Sequence, residues 1–218
     1  MQPIKTCTLS ALAFVLGSAS ALAGPVDNGI YALQKRWAEI TYQVKSKDRQ
    51  ETEYKALEAD ASRLAAANPD RAEPKIWEGI ILSTDAGVSG GLSALGKVKT
   101  ARKLFEQAIA IDDTALAGSA HTSLGSLYYQ VPGWPLSFKD DKKAEQQLTR
   151  ALQINPRGID PNYFYADYLY RQGRYAEAAK ALEKALKAPP RPGRPVADAG
   201  RRRQVQALME KVKEKLGS

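Results

Sequence analysis

Apolar residues recur every three or four positions over most of this chain, the spacing that gathers them on one stripe of an α-helix. Ile30, Leu33, Trp37, Ile40 and Val44 make the first stripe and predict a helix over residues 27–46. Tyr54, Leu57, Ala61 and Leu64 make the second, over residues 51–67, which stops at Asn68-Pro69, a turn that a helix does not easily cross. Three further pairs follow: 72–86 with 97–111, 114–130 with 141–154, and 160–172 with 175–187. A final amphipathic stretch, 196–216, sets Val205, Leu208, Met209, Val212 and Leu216 on one face. Every strong period is helical, so the expected fold class is all-α.

One motif occurs three times within these pairs. Leu124-Gly125 and Tyr128 are followed by Ala144, Leu148 and Ala151, and the unit closes on Pro156. Tyr165-Ala166 and Leu169 are followed by Ala178, Leu182 and Ala185, closing on Pro189-Pro190. An earlier copy has Trp77 and Ile80, then Ala101, Phe105 and Ala108, closing on Asp112-Asp113. This resembles the tetratricopeptide repeat (TPR): a large residue and a Leu-Gly pair on the first helix, small residues where the second helix crosses it, and Pro at the exit. The resemblance implies a TPR-type solenoid of helical hairpins, a superhelix. Residues 24–70 would form a degenerate first repeat, and 72–113 and 114–156 repeats with inserted loops. Residues 157–190 would be an unmodified repeat, and 196–216 a C-terminal capping helix. End repeats lose their signature because one side faces solvent instead of a neighbour.

The insertions, 85–96 and 130–141, give a layout similar to the regulator-of-microtubule-dynamics type of TPR protein. It is also similar to the bacterial TPR proteins grouped with the T-component of TRAP transporters, over residues 76–203. This chain departs from the first by carrying an export signal, and from the second by lacking a lipobox cysteine. Long loops within compact repeats are often functional. The second holds Trp134 and Phe138, which must find a surface, either the repeat edge or a partner.

Catalytic material is sparse. Gly91 to Val98 matches most of a phosphate-binding loop, but Val98 stands where a hydroxyl must reach Mg²⁺ and no strand precedes it. His121 is the single histidine and Cys7 the single cysteine, so no cofactor or metal is expected. Asp112-Asp113 and Asp140-Asp141 sit at helix ends, where Asp caps free N–H groups. The chain is therefore not expected to be an enzyme.

A binding groove is the stronger expectation. In TPR solenoids the first helix of each hairpin lines the concave face. The match places Lys75, Glu78, Leu82 and Asp85 there from the first clear repeat, and Ser119, Thr122, Ser126 and Tyr129 from the second. From the third it places Asp160, Tyr163, Asp167, Tyr170 and Arg171. Tyrosine offers apolar area and a hydroxyl at small entropic cost. Tyr129, Tyr163 and Tyr170 are thus candidate anchors for a peptide or amphipathic helix, with Asp167 and Arg171 setting register. The Lys/Asn pattern of repeats that clamp a C-terminal carboxylate is absent. The expected function is a protein-interaction scaffold, with an accessory role in TRAP-like solute uptake as the alternative.

The ends refine the destination. Lys5, the apolar run from Leu9 to Leu16 and Ala21-Leu22-Ala23 read as a secretory signal peptide over residues 1–23, cleaved after Ala23. A periplasmic location follows as an expectation, with no transmembrane segment left after cleavage. The chain is formally +8, and much of the excess lies in Arg191, Arg194, Arg201, Arg202, Arg203, Lys211, Lys213 and Lys215. That run reads as a basic tail able to touch an anionic surface. A nucleic-acid partner is not expected, because no aromatics interleave with it.

Overall fold

The computed structural model describes residues 24–133 and 135–217. The expected signal peptide, with Lys5 and Cys7, and Trp134 of the second insertion lie outside the described residues. Among those described, nine helices follow in order: α1 (Pro25–Gln43), α2 (Lys47–Ala67), α3 (Ala72–Ser89), α4 (Gly91–Ile111), α5 (Ala115–Gln130), α6 (Asp141–Ile154), α7 (Ile159–Arg171), α8 (Tyr175–Leu186) and α9 (Pro195–Leu216). None of them is long and apolar enough to cross a membrane.

Local chemistry sets several boundaries. Ser46 opens α2 by accepting the Arg49 N–H, and Asp140 opens α6 by accepting that of Lys143 at 3.0 Å. Pro25 and Pro195 occupy first-turn positions, where a missing N–H costs nothing. The tight α7–α8 turn passes through Gly173 at φ 74°, a conformation that glycine adopts without strain.

Odd-numbered helices form an inner layer and even-numbered ones an outer layer. Each hairpin closes where a large outer side chain meets a residue without a Cβ: Phe105 lies against Gly79, and Leu148 against Gly125. Ala166 holds the same position in the third hairpin, and Ala166 and Leu182 are both fully buried. The small outer-helix residues Ala101, Ala108, Ala144, Ala151, Ala178 and Ala185 are completely buried as well. Close helix approach thus comes from deleted side-chain volume, and tight packing supplies the dispersion energy.

Two features differ from the sequence reading. Residues 85–96 are not a loop: α3 and α4 run through them, broken only by Gly90 and Gly91 at φ 68° and 70°. The phosphate-loop resemblance therefore falls on helix, and Lys97 is engaged by Asp85 and by Glu58 at 2.9 Å. The first turn of α5 is left-handed, with Leu116 at φ 48° and Ala117 at φ 55° ahead of Gly118. For residues carrying a Cβ this conformation costs about 1–2 kcal/mol each. Burial of Leu116 against both halves of the core and the Ser119 hydroxyl bond to the Leu116 carbonyl (2.7 Å) offset it.

The inner layer closes on itself. α1 packs on α3, α3 on α5, α5 on α7 and α7 on α9, and α9 returns to α1. As expected of a capping helix, α9 covers the last hairpin with Val205, Leu208 and Val212. Its first turns, through Ala197 and Val196, also complete the separate apolar cluster built on Ile30, Leu33, Trp37, Ile40, Tyr54 and Leu57. Gly200 lies on the face of the Tyr42 ring, so close that an added Cβ would stand 2.4 Å from its carbons.

Gly200→Val is expected to destabilise the fold by about 1–3 kcal/mol through overpacking at this seam. Tyr42→Ala in the same chain should recover part of that loss. Urea unfolding measures both; an unchanged midpoint in the single variant would mean that α1 and α9 do not meet there.

Candidate functional site

All five inner helices face one cavity of about 770 Å³. α1 contributes Trp37, Thr41 and Tyr42; α3 contributes Trp77, Ile80, Ser83 and Thr84. α5 adds Ser119, Thr122, Ser123, Ser126 and Gln130 behind the left-handed turn. α7 adds Asp160, Tyr163, Phe164, Asp167 and Arg171, and α9 adds Arg201 and Gln204. The segments before α7 and α9 bring Arg157, Arg191 and Arg194 to the rim.

The cavity takes up part of the concave set expected from sequence. Ser119, Thr122, Ser126, Asp160, Tyr163, Asp167 and Arg171 line it. Tyr129 instead stands within the wall, 4% exposed, and donates its hydroxyl to Asp167 at 2.8 Å. Burial, reinforced by Asp167, raises the Tyr129 phenol well above its usual range. Tyr170 turns away to pack on Tyr175, with ring centroids 5.5 Å apart. Phe138 packs on the repeat edge, edge-on to Tyr128 at 5.8 Å and beneath the Arg102 guanidinium at 4.6 Å.

The α3 set is misplaced as a whole. Glu78 faces α2, where Ser62 bonds its carboxylate while burial pushes its pKa up. Asp85 is 1% exposed and paired with Lys97, Leu82 packs into the core, and neither they nor Lys75 line the cavity. The cause is a register slip. Aligning Gly79 with Gly125 and Ala166 puts Ile76, Ile80 and Ser83 in the places of Thr122, Ser126 and Tyr129. A two-residue error rotates a helix by about 200°, onto its opposite side. Gly79 was the signal that would have prevented it.

Charge collects at the α7–α9 corner. Asp160 accepts from Arg201 at 2.7 Å and from Arg191, which also grips Asp198 at 2.6 Å. Arg201 is 9% exposed on its side chain and stacks over both Tyr163 and Phe164 at 4.6 Å. Burial alone would raise the Asp160 pKa, but Arg201, Arg191 and Arg194 hold it well below the usual carboxylate range. The basic tail is thus largely not a tail. Arg191, Arg194 and Arg201 turn inward, and Arg202 bonds the Leu186 and Ala188 carbonyls at 2.8 and 2.6 Å. Arg203, Lys211, Lys213 and Lys215 remain exposed.

Comparison with known proteins agrees with the repeat geometry. The tetratricopeptide-repeat family profile matches residues 138–212, from the second insertion into α9. Over that span the chain carries tetratricopeptide repeats. No curated protein matches it. Among solved structures it is similar to MamA, at 18% identity and TM-score 0.46, over 80% of this chain and 96% of that one. It is also similar to PilF of Pseudomonas aeruginosa, at 14% identity and TM-score 0.34, over 88% of this chain and 93% of that one. Both likenesses are too distant to bear on function. Here the concave surface of the inner helices is a lined chamber.

Removing Asp160 tests the charged corner. Asp160→Asn leaves the buried Arg201 without a carboxylate, while Arg191 keeps Asp198, and is expected to cost about 3 kcal/mol at neutral pH. Because folding depresses this pKa, the contribution of Asp160 is complete above the unfolded value of about 3.9 and is lost as pH falls toward the folded one. Unfolding midpoints between neutral pH and strong acid should therefore fall steeply for wild type and less so for the variant. Parallel curves would remove Asp160 from the account.

Proposed function

We propose that this protein is an exported, non-enzymatic scaffold that holds a short segment of a partner protein inside the chamber of its ring. The convergence of all five inner helices on one lined space carries this reading. An α-helix with side chains is about 10–12 Å across and rises about 5.4 Å per turn. A chamber of about 770 Å³ therefore takes less than about two turns, which favours an extended segment over a long docked helix. Trp37, Trp77, Tyr163 and Phe164 offer apolar contact, while Thr41, Ser126 and Gln130 offer hydrogen bonds along the walls. Five arginines on the lining outnumber its two aspartates, so the segment is acidic. Tyr129 and Tyr170 act as wall supports in this reading, and only Tyr163 of the three tyrosines touches the occupant.

A second reading keeps the chamber and changes the occupant. Its volume falls within the range of small-molecule pockets and its walls are aromatic. That suits a soluble accessory of a TRAP-like uptake system, carrying a small ligand with an apolar body. Export, common to both readings, is supported by the leader-like residues 1–23.

Site-specific photocrosslinking separates the two. A crosslinking amino acid at Ser126, on the chamber wall, is expected to trap one discrete protein in envelope extract. The same group at Gln146, exposed on the outer face of α6, should trap none. Adducts from Gln146 alone would abandon the chamber as the binding site. Absence of protein adducts, with a small molecule co-purifying, would favour the second reading. N-terminal sequencing of the envelope form is expected to begin at Gly24, and an intact Met1 would end the export proposal.

A further inference from the structure

The charged corner is not electrically closed. Arg191, Arg194 and Arg201 carry three positive charges; Asp160 and Asp198 carry two negative ones and pair only with Arg191 and Arg201. Among the described residues the Arg194 guanidinium has no carboxylate and no hydrogen-bond acceptor. It lies over the face of Trp77, 5.3 Å from the ring centroid. Burial and the neighbouring Arg191 push the Arg194 pKa down to about 10, so it stays charged at neutral pH.

A second observation falls on the same contact. Among the described residues, two buried side-chain polar atoms without a partner belong to residues that line the chamber: Arg194 Nε and Trp77 Nε1. Buried N–H groups are nearly always satisfied, and each orphan costs about 1–3 kcal/mol. One spare positive charge, on Arg194, thus stands on the wall of a cavity with the Trp77 ring beneath it. Arg157 lines the same rim and is solvent-exposed.

We propose that Arg194 and Trp77 form a carboxylate-binding site in the chamber wall, taking one carboxylate carried on an apolar body. The enclosed charge selects the group: one uncompensated arginine against aromatic walls matches a monoanion, while Arg157 stays with solvent at the rim. The guanidinium is a fork of N–H donors, a carboxylate presents two acceptor oxygens to it, and the Trp77 ring face holds the guanidinium from below. The aromatic walls at Trp37, Trp77 and Phe164 receive the rest of the molecule. Such a carboxylate is supplied equally by a small organic acid or by an acidic residue of a partner segment. The inference rests on the chamber being the binding site.

Calorimetry and tryptophan fluorescence on the purified mature protein test this with matched probes. The first pair is 4-phenylbutyrate and the neutral 4-phenyl-1-butanol. The second is a capped extended peptide with a central Glu between two Leu, and its Gln counterpart. At least one acidic probe is expected to bind about tenfold or more tightly than its neutral partner. Arg194→Gln should abolish that preference, and Arg194→Lys should restore it in part. Because Arg194 lacks a partner, Arg194→Gln without ligand should melt at or above the wild-type temperature. Equal binding of acid and alcohol, no binding of either acid, or an unaltered preference in Arg194→Gln would each overturn the proposal. A lower ligand-free melting temperature for Arg194→Gln would do so too, by making the residue structural. Preference for phenylbutyrate identifies a small acid as the source, and preference for the Glu peptide identifies a protein segment. If the Ser126 crosslink forms undiminished in Arg194→Gln, the scaffold reading stands and the carboxylate site falls. Acid binding without any crosslinked protein gives the reverse.

Discussion

With no Cβ at position 200, the α9 backbone can lie flat on the Tyr42 ring, and that approach turns a stack of hairpins into a ring. A solenoid with free ends keeps a terminal apolar face exposed to water, and end repeats ordinarily resolve this with a polar outer surface. Here one helix covers both ends. The C-terminal half of α9 buries Val205, Leu208 and Val212 against the last hairpin. Its N-terminal turns bury Ala197 and Val196 in the cluster of the first. The helix α9 thus joins the two apolar cores at the ends of the chain, as Ile80 and Leu116 join them within it, so chamber shape and end-capping have one physical origin.

Closure also explains why charge is drawn inward at this corner. Holding α9 against both α7 and α1 brings Arg191, Arg194 and Arg201 over the first turn of α7. Desolvated arginines are tolerated only with compensation. Asp160 and Asp198 compensate two of them, and aromatic faces at Tyr163, Phe164 and Trp77 receive the guanidinium planes. The left-handed turn at Leu116 and Ala117 lies on the same lining. Strain of this kind persists only where surrounding packing over-determines it. Polar frustration and backbone strain thus share the wall of one cavity, while the outer helices keep a conventional apolar core.

The repeat signature was readable because it is local. Ala101, Ala144 and Ala178 stand four residues ahead of Phe105, Leu148 and Leu182, and helical periodicity converts that spacing into one buried stripe without knowledge of the rest. All-α class, nine helices and a terminal cap were legible for this reason. The first-repeat groove set failed because side-chain direction on a helix turns by about 100° per residue, so a modest alignment slip inverts the face. Residues 85–96 read as a loop because Gly90 and Gly91 dominate the local composition, though packing on α2 and Asp85–Lys97 pairing keep both flanks helical.

Hydrophobic spacing, with small residues at Gly125 and Ala166, was enough to determine helices, hairpins and their order, since each acts within one repeat. Tertiary structure alone decided that α9 meets α1, because residues about 160 positions apart share no local signal. It also decided which arginines are buried. A basic run looks the same in sequence whether solvated or enclosed; only the direction in which each guanidinium leaves a placed helix, and the carboxylates it finds there, separates the two.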